Sequence, residues 1–226
     1  KSFWLSKHFG PRAIEHEIGR RQAAWTSVVM PNLESVQYYR DEYEYDGEYL
    51  ITGYPRTDPI VNGDAPAARA RVAASAGISD AGQKWLLYAP TWRESRATGA
   101  WSAALFDELD IFQLSEQLGS EWTILIRGRK YNSREASRIE RLSNLVDVTD
   151  YPEINDLILA SDASVLDYSS LRFDWALTEK PMYFFVPDKV EYFEGRPALF
   201  DYVESAPGPQ VSSTDELIAE LRDIST

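Results

Sequence analysis

The residues whose types and spacing could support chemistry are concentrated in one short stretch, Asp167-Tyr168-Ser169-Ser170. Residues 163–166 before it are mostly apolar, as in a buried parallel strand, and Leu171, Trp175 and Leu177 then recur at near-helical spacing. Serines at a helix start can cap the helix, and its unpaired N–H groups and positive dipole end favour an anion such as phosphate. A serine cap that only stabilises the fold would have the same sequence, so this stretch alone does not decide between the two interpretations.

Polar side chains also follow the other strands predicted in the second half of the chain. They are Thr91 and Arg93 after the first strand, Arg127 and Arg129 after the second, Asp150 after the third, and Asp167, Ser169 and Ser170 after the fourth. In open parallel sheets a ligand lies beyond the carboxyl ends of the strands, where the strand order reverses. A single arginine after a strand is more often solvated or paired with a carboxylate. Three arginines beside a serine-capped turn predict a phosphate site, because one planar guanidinium can donate two parallel hydrogen bonds to phosphate oxygens.

The elements that must position these residues alternate along the chain. Strands are predicted at residues 25–30, 49–52, 85–89, 122–126, 145–148, 163–166 and 181–186, the last being the final clear strand. Helices are predicted at residues 11–24, 33–43, 67–76, 106–118, 133–142, 151–160 and 213–221, with a linker at 59–66. Strands that alternate with helices predict an α/β fold, with a mostly parallel sheet covered by helices on both faces.

The composition excludes several classes of protein. The chain has 226 residues, a formal net charge of −13 and no cysteine. The acidic balance argues against a nucleic-acid partner, which would need a basic face, and the lack of cysteine excludes disulfides and cysteine-bound metal. His8 and His16 have no third partner for a zinc site, and no apolar run approaches the roughly 20 residues of a membrane span. We therefore expect no metal ion and no cofactor.

Three common catalytic motifs are absent from the sequence. Neither the glycine-rich fingerprint of dinucleotide-binding enzymes (G-x-G-x-x-G) nor the P-loop (G-x-x-x-x-G-K-S/T) occurs. The G-x-S-x-G motif of serine hydrolases is also absent, and both histidines lie far upstream of the candidate serines. Dehydrogenase, P-loop and serine-hydrolase functions therefore lose their main support.

Four motifs resemble those of the CDP-glycerol glycerophosphotransferase family, which includes the teichoic acid primases and polymerases of Gram-positive bacteria. They are Gly53-Tyr-Pro-Arg-Thr-Asp58, Leu87-Tyr-Ala-Pro-Thr-Trp-Arg93, Ser161-Asp-x-x-x-x-Asp-Tyr-Ser-Ser170 with Phe173-Asp174, and Pro207-Gly-Pro209. The resemblance implies a GT-B fold, in which two Rossmann-like domains face a cleft. Residues 1–58 would be the closing part of the N-terminal, acceptor-side domain, and residues 59–226 a complete C-terminal domain that binds the nucleotide donor.

The resemblance also implies roles for single residues. The substrate-binding residues that it implies are Arg56, Thr91, Arg93, Arg127, Arg129, Asp167, Ser169, Ser170 and Asp174. In this scheme the two serines cap the helix and bind phosphate, and the arginines at positions 127 and 129 offset its charge. Arg93 is a further phosphate or cleft residue, and Arg56 faces the cleft from the interdomain side. Asp167 orients the turn, and Asp174 either reaches the ribose or braces the fold.

The sequence departs from the family pattern at three points. Arg129 occupies the position of a family histidine that helps with the donor phosphates, and Leu166 occupies that of a threonine. The family's Trp-His-Gly segment, whose histidine is the proposed base, would precede Lys1, so no catalytic residue is identified in this chain. The chain does not begin with Met, and we expect it to be part of a longer protein and not to release CMP by itself.

The implied reaction transfers a polyol phosphate, glycerol phosphate by default, from a CDP-activated donor to a wall-polymer or lipid-linked acceptor, with release of CMP. The protein is expected in the cytoplasm, and peripheral contact with the cytoplasmic face of the membrane stays open. Three alternatives also remain. They are a sugar-nucleotide glycosyltransferase of the same GT-B fold, a degenerate domain that binds nucleotide or a partner without catalysis, and a structural module of a larger surface-polymer synthase.

Overall fold

The structure, a computed structural model, consists of two compact units. It describes residues 10–91, 93–94, 101–102, 109–128, 139, 142–194 and 201–223, and of residues 93–94 and 101–102 it describes only the backbone. Of these residues, 10–58 and 193–194 form the first unit, and the others form the second. The assignment of an acceptor-side domain to residues 1–58 and a donor-side domain to residues 59–226 stays a prediction.

The first unit contains two parallel strands and two helices. Its elements are α1 (Pro11–Ala24), β1 (Ser27–Met30), α2 (Leu33–Tyr43), β2 (Glu48–Ile51) and a 3-10 turn at Pro55–Thr57. A proline in the first turn of α1 and the side chain of Asn32, which accepts from Ser35 N at 2.9 Å, explain where the two helices begin. Both helices have the bounds predicted from the sequence. The strands pair in parallel, with Val28 opposite Tyr49.

Aromatic side chains form much of the core of this unit. The Trp25 ring lies edge-on to the rings of Tyr43 and Tyr45, with centroids 5.7 and 5.5 Å away. The Tyr45 hydroxyl donates to the Thr26 carbonyl at 3.1 Å, and the Tyr49 hydroxyl donates to the Tyr45 carbonyl at 2.6 Å. These rings therefore bury a large apolar area while their polar ends keep hydrogen-bond partners.

A six-stranded parallel sheet is the centre of the second unit. Its strands are β3 (Lys84–Tyr88), β6 (Trp122–Ile126), β7 (Leu145–Asp147), β8 (Ala163–Leu166), β9 (Met182–Phe185) and β10 (Gln210–Val211), and β4 (Arg93–Glu94) and β5 (Trp101–Ser102) form a separate antiparallel pair. The spatial order is β10-β9-β8-β3-β6-β7, with every pairing parallel. The predicted parallel sheet is confirmed.

The strand order is that of a Rossmann-like domain. Counted along the chain and read from β7 to β10, the six strands have the order 3-2-1-4-5-6. The order reverses at β3, which pairs with β6 on one side and with β8 on the other. In such sheets the crevice at the carboxyl ends of the two strands that flank this reversal is the usual place for a ligand.

Helices cover both faces of this sheet, as predicted. The remaining helices are α3 (Asp58–Val61), α4 (Ala65–Ala76), α5 (Ile111–Leu118), α6 (Ile154–Ala160), α7 (Leu171–Trp175), α8 (Lys189–Glu194) and α9 (Thr214–Asp223), with 3-10 turns at Gly119–Glu121 and Ala176–Thr178. On one face, Leu86 of β3 belongs to a buried cluster with Leu114 of α5 and Leu217 of α9. On the other face, the Arg69 guanidinium of α4 lies 4.1 Å from the Trp85 ring centroid, and α6 packs against α4. Successive residues of a strand point to opposite faces, which explains this division.

Three sequence predictions differ from the structure or fall outside it. The linker predicted at residues 59–66 is wrong, because α3 occupies its start and α4 begins at Ala65, where Asp64 accepts from Ala67 N at 3.0 Å. The strand β10 has no counterpart in the prediction, since two residues are too few to show a period of two. Of the helix predicted at 133–142 the structure describes only Ile139, which is helical and 6% exposed, and Leu142, which is not helical. The rest of that helix and residues 106–108 of the preceding one lie outside the described ranges. That preceding helix, α5, begins at Ile111 after the cap Asp110.

The Pro207-Gly-Pro209 segment passes directly against β9. A Cβ atom on Gly208 would lie only 1.8 Å from the Met182 carbonyl oxygen. The Phe184 N–H donates to the Pro209 carbonyl at 2.8 Å, which places β10 in register beside β9. Only glycine fits between these backbones, so this motif has a structural reason in the sheet itself.

Candidate functional site

A cleft of about 800 Å³ opens at the carboxyl ends of β3, β6, β7 and β8, where the strand order reverses. The loops after these strands and the starts of α6 and α7 provide its lining residues, which are Ala89, Pro90, Thr91, Arg127, Gly128, Thr149, Asp150, Ile154, Ser169, Ser170, Leu171 and Asp174. Five residues that the resemblance implies therefore lie around one cleft: Thr91, Arg127, Ser169, Ser170 and Asp174.

Asp167 joins two walls of this cleft from within the fold. It is 3% exposed, and its Oδ2 accepts from Thr91 N at 2.7 Å. Its Oδ1 accepts from the Thr91 hydroxyl and, at 3.2 Å, from Ser169 N. Hydrogen bonds to a carboxylate are stronger than those between neutral groups, so Asp167 holds the loop after β3 against the turn after β8. This geometry supports the implied role of Asp167 in orienting the turn.

The two serines of the turn have different hydrogen bonds. The Ser169 hydroxyl accepts from Leu171 N at 3.2 Å and caps the first turn of α7. Ser170 occupies the N-cap position, but its side chain makes no capping bond, which corrects the expectation that both serines cap the helix. Ser170 is exposed, and in the described part of the chain its hydroxyl and N–H have no hydrogen-bond partner. Because α7 has only five residues, its dipole contributes less than the sequence pattern predicts.

Arg127 is the half-buried cation of the cleft. Its Nη1 donates to the Tyr151 carbonyl at 2.7 Å, and the Val148 carbonyl lies 3.5 Å away. Within the described residues no carboxylate forms an ion pair with it, and its Nε and Nη2 have no hydrogen-bond partner there. Burial lowers the pKa of Arg127, against a smaller raising effect of the Glu153 carboxylate. A guanidinium remains charged at neutral pH, so Arg127 keeps both its charge and donors for an anionic ligand.

Carboxylates and a threonine complete the described wall of the cleft. Thr149 Oγ1 accepts from Gly128 N at 3.1 Å and fixes the loop after β6 beside the loop after β7. Asp150 and Asp174 both line the cleft. A carboxylate repels phosphate but accepts hydrogen bonds from hydroxyl groups, so these two residues suit the ribose or polyol part of a ligand. The place of Asp150 after a strand predicts its position, whereas nothing in the sequence distinguishes Thr149 or Gly128 from ordinary loop residues.

Three residues implied by the resemblance are not placed at the cleft by the structure. Arg56 belongs to the first unit, where it is exposed and its guanidinium lies 4.9 Å from the Tyr54 ring centroid. The backbone of Arg93 lies in β4, but its side chain is outside the described part of the structure, and so is all of Arg129. The roles of these three arginines stay predictions.

Ser161 and Asp162 belong to the same motif but lie at the opposite end of β8. The Ser161 hydroxyl donates to the Leu157 carbonyl at 2.8 Å. The Asp162 carboxylate accepts from Trp85 N at 2.7 Å and forms an ion pair with Arg69 at 3.0 Å. These bonds connect β8 to α6, β3 and α4, so this half of the motif supports the fold and only the other half lies at the cleft.

The described residues show neither a membrane-spanning helix nor a cluster of metal ligands. None of the helices in the described ranges has both the length and the apolar character needed to cross a membrane. Those ranges also contain no group of three or more histidine, aspartate or glutamate side chains arranged to hold a metal ion. Among the residues that line the cleft in the described ranges, Arg127 is the one with a positive charge.

The sequence is similar to one family and to several of its characterised relatives. The model of the family described as CDP-glycerol:poly(glycerophosphate) glycerophosphotransferase matches residues 6–226. A teichoic acid poly(glycerol phosphate) polymerase from Bacillus subtilis (strain 168) is 32% identical over 206 residues, which are 89% of this chain and 27% of that protein. A teichoic acid glycerol-phosphate transferase from Staphylococcus aureus (strain NCTC 8325 / PS 47) is 32% identical over 203 residues, which are 88% of this chain and 51% of that protein.

The fold is similar to that of solved structures as well. A structure of the wall teichoic acid polymerase TagF superposes with a TM-score of 0.79 at 28% sequence identity, and covers 95% of this chain and 52% of that chain. An H444N variant of TagF gives a TM-score of 0.80 at 28% identity. The chain thus spans 27% to about half of the length of the relatives it matches.

Proposed function

The chain belongs to the CDP-glycerol:poly(glycerophosphate) glycerophosphotransferase family, and from this premise we propose that its cleft binds the diphosphate of CDP-glycerol. The protein that contains the chain then transfers glycerol phosphate to a growing polymer and releases CMP. The relatives named for glycerol phosphate support this choice of polyol. One observation carries the proposal: Arg127, with no ion pair in the described residues, lies in the same cleft as Ser170, whose N–H and hydroxyl have no partner there.

The proposed reaction is a displacement at phosphorus. An acceptor hydroxyl oxygen forms a bond to the β-phosphorus of CDP-glycerol, and the bond from that phosphorus to the bridging oxygen breaks. The bonding electron pair leaves with CMP, whose added negative charge is offset by Arg127 and by the donors of Ser170. The acceptor's proton passes to a general base. The resemblance assigns this role to a histidine of a Trp-His-Gly segment, which does not occur in these 226 residues.

The names of the relatives indicate the kind of acceptor. They are teichoic acid polymerases and transferases, so we propose that the acceptor is a teichoic acid chain or its lipid-linked precursor. A lipid-linked acceptor would place the reaction at the cytoplasmic face of the membrane, with the protein bound there peripherally. The net charge of −13 disfavours general attraction to anionic lipids, so such contact should depend on the acceptor itself.

Titration calorimetry of the 226-residue chain tests the donor assignment against the alternatives. We expect CDP-glycerol to bind saturably and UDP-glucose, at the same concentrations, to give no saturable heat. The physical reason is that cytosine presents an amino donor where uracil presents a carbonyl acceptor, and a site that pairs with one leaves a buried group unpaired with the other.

The other outcomes separate the remaining functions. Equal or tighter binding of UDP-glucose would favour the glycosyltransferase and overturn the donor assignment. No binding of either nucleotide would favour a structural module. Binding of CDP-glycerol by a full-length protein that releases no CMP when teichoic acid acceptor is added would indicate a degenerate domain.

A further inference from the structure

Arg172 is a buried arginine that contacts the turn at Asp167-Tyr168-Ser169-Ser170 from inside the fold. It is 7% exposed. Its Nη1 donates to the Tyr168 and Ser169 carbonyls at 3.2 and 3.0 Å. Its Nε and Nη2 donate to the carbonyl and the hydroxyl of Ser205 at 3.0 and 3.2 Å. All of these acceptors are neutral, and no carboxylate in the described residues forms an ion pair with Arg172.

Burying the Arg172 guanidinium without an ion pair costs free energy. Burying a cation without an ion pair loses its hydration, and hydrogen bonds to carbonyls return only part of that free energy. Burial accordingly lowers the pKa of Arg172, and the raising effects of Tyr202, Tyr192 and Asp167 are smaller. The four hydrogen bonds and the Phe173 ring, 4.5 Å from the guanidinium, hold the side chain in place, but none of these neutral groups cancels its charge.

The carbonyls that Arg172 binds determine where the N–H groups of the turn point. In a trans peptide the C=O and N–H groups point in opposite directions, and the described chain has no cis peptide bond. Because the Ser169 carbonyl points to Arg172, the N–H of Ser170 in the same peptide plane points away from it. Ser170 lines the cleft, whereas Arg172 is buried behind it and does not.

A second connection stabilises the arginine. The Ser205 hydroxyl donates to the Tyr202 carbonyl at 3.1 Å, and the Tyr202 hydroxyl donates to the Asp167 carbonyl at 2.9 Å. The Arg172 guanidinium also lies 5.2 Å from the Tyr202 ring centroid. The turn at the cleft is therefore fixed from behind by one segment, residues 201–206, through Arg172 and Tyr202 together.

We propose that Arg172 is a positioning residue for the donor's diphosphate, because it binds the Ser169 carbonyl and thereby orients the Ser170 N–H toward the cleft. Its positive charge lies behind the turn without an ion pair in the described residues, and the buried Asp167 carboxylate offsets it only in part. This inference rests on the proposed function of the cleft. Arg172 does not line the cleft, so it acts through the turn and through the electrostatic potential at the cleft, which the low dielectric of the interior transmits over a few ångströms.

Lys180 provides a matched control for the test. It too is a cation bound to carbonyls, half-buried where Arg172 is buried, and its Nζ donates to the Leu159 and Ser161 carbonyls at 2.7 and 2.6 Å. Burial lowers the pKa of Lys180 as well. Its contacts lie at the amino end of β8, opposite the cleft. Arg172→Met is expected to weaken CDP-glycerol binding about tenfold, as for the loss of one charge-assisted contact, and Lys180→Met to leave the affinity within about twofold. Melting temperatures of both variants measure the structural cost.

Two further measurements distinguish positioning from general damage. Cytidine, which has no phosphate, should bind Arg172→Met and wild type equally, and Arg172→Lys should recover part of the lost affinity because it keeps the charge. Unchanged CDP-glycerol affinity in folded Arg172→Met, or an equal loss in Lys180→Met, would overturn the inference. If Arg172→Met does not fold, the CDP-glycerol affinity of Arg172→Lys takes its place as the test. A wild-type affinity in Arg172→Lys would then overturn the inference. Wild type that binds no CDP-glycerol would instead refute the proposed function, and the inference with it.

Discussion

Replacing Arg127 with alanine is expected to weaken CDP-glycerol binding by roughly 1–3 kcal/mol, which is about 5- to 150-fold in the dissociation constant. Arg127 is half-buried in the cleft, one of its donors is held by the Tyr151 carbonyl, and no carboxylate in the described residues forms an ion pair with it. Its contact with phosphate would therefore be charge-assisted and only partly screened by water. Arg127→Lys should recover only part of the loss, since a lysine lacks the planar fork. Titration calorimetry measures all of these affinities.

Two other arginines make this prediction specific. Arg222 of α9 is exposed and donates to Gln117 Oε1 at 2.7 Å, so Arg222→Ala removes a positive charge without touching the cleft and should leave the affinity unchanged. Arg129→Ala should cost less affinity than Arg127→Ala, because Arg127 occupies the arginine position of the family motif and Arg129 replaces its histidine. Equal losses for positions 127 and 222 would refute a phosphate contact. A larger loss of affinity in Arg129→Ala than in Arg127→Ala would show that the role of the family's arginine is assigned to the wrong residue.

The substitution Gly208→Ala is expected to cost about 3 kcal/mol of unfolding free energy and to lower the melting temperature by roughly 6–12 °C. The new methyl group would lie 1.8 Å from the Met182 carbonyl oxygen and 2.9 Å from its carbon. Both are backbone atoms of β9, so relief requires the 207–209 segment to move away and to lose the hydrogen bond from Phe184 N to the Pro209 carbonyl. Thermal unfolding followed by circular dichroism measures the change.

Gly19→Ala is the matched control for this glycine substitution. Gly19 lies inside α1, and a Cβ atom there meets nothing within 4 Å. Alanine should therefore stabilise the helix by about 0.5–1 kcal/mol. If Gly208→Ala melts at or above the temperature of wild type, the backbone of Gly208 does not lie against the Met182 carbonyl of β9.

Local patterns predicted the part of the site that is contiguous in sequence. The apolar run 163–166 and the helical spacing after Ser170 identify β8 and α7, and the strand bounds agree with the structure. The gathering of Thr91 and Arg127 beside this turn was also predictable, since the carboxyl ends of parallel strands meet at one edge of a sheet. Both inferences need only the period of a strand and the rule for parallel sheets.

Contacts between distant parts of the chain were not predictable in this way. Arg172 binds Ser205, which is 33 residues away, and in the sequence it is simply an arginine in a short helix. The need for glycine at position 208 depends on a strand that begins at Met182. The helical turns within residues 58–66 contradict a linker prediction that relied on Pro59 and Pro66, because proline is compatible with the first turn of a helix.

A crystal structure of this chain with CDP-glycerol bound tests the central claim most directly. We predict that diphosphate oxygens lie about 3 Å from the Arg127 guanidinium and from Ser170 N, within the cleft at the carboxyl ends of β3 and β8. Arg172 should still bind the Tyr168 and Ser169 carbonyls in that complex. A nucleotide bound elsewhere on the chain, with neither Arg127 nor Ser170 in contact with its phosphates, would contradict the account.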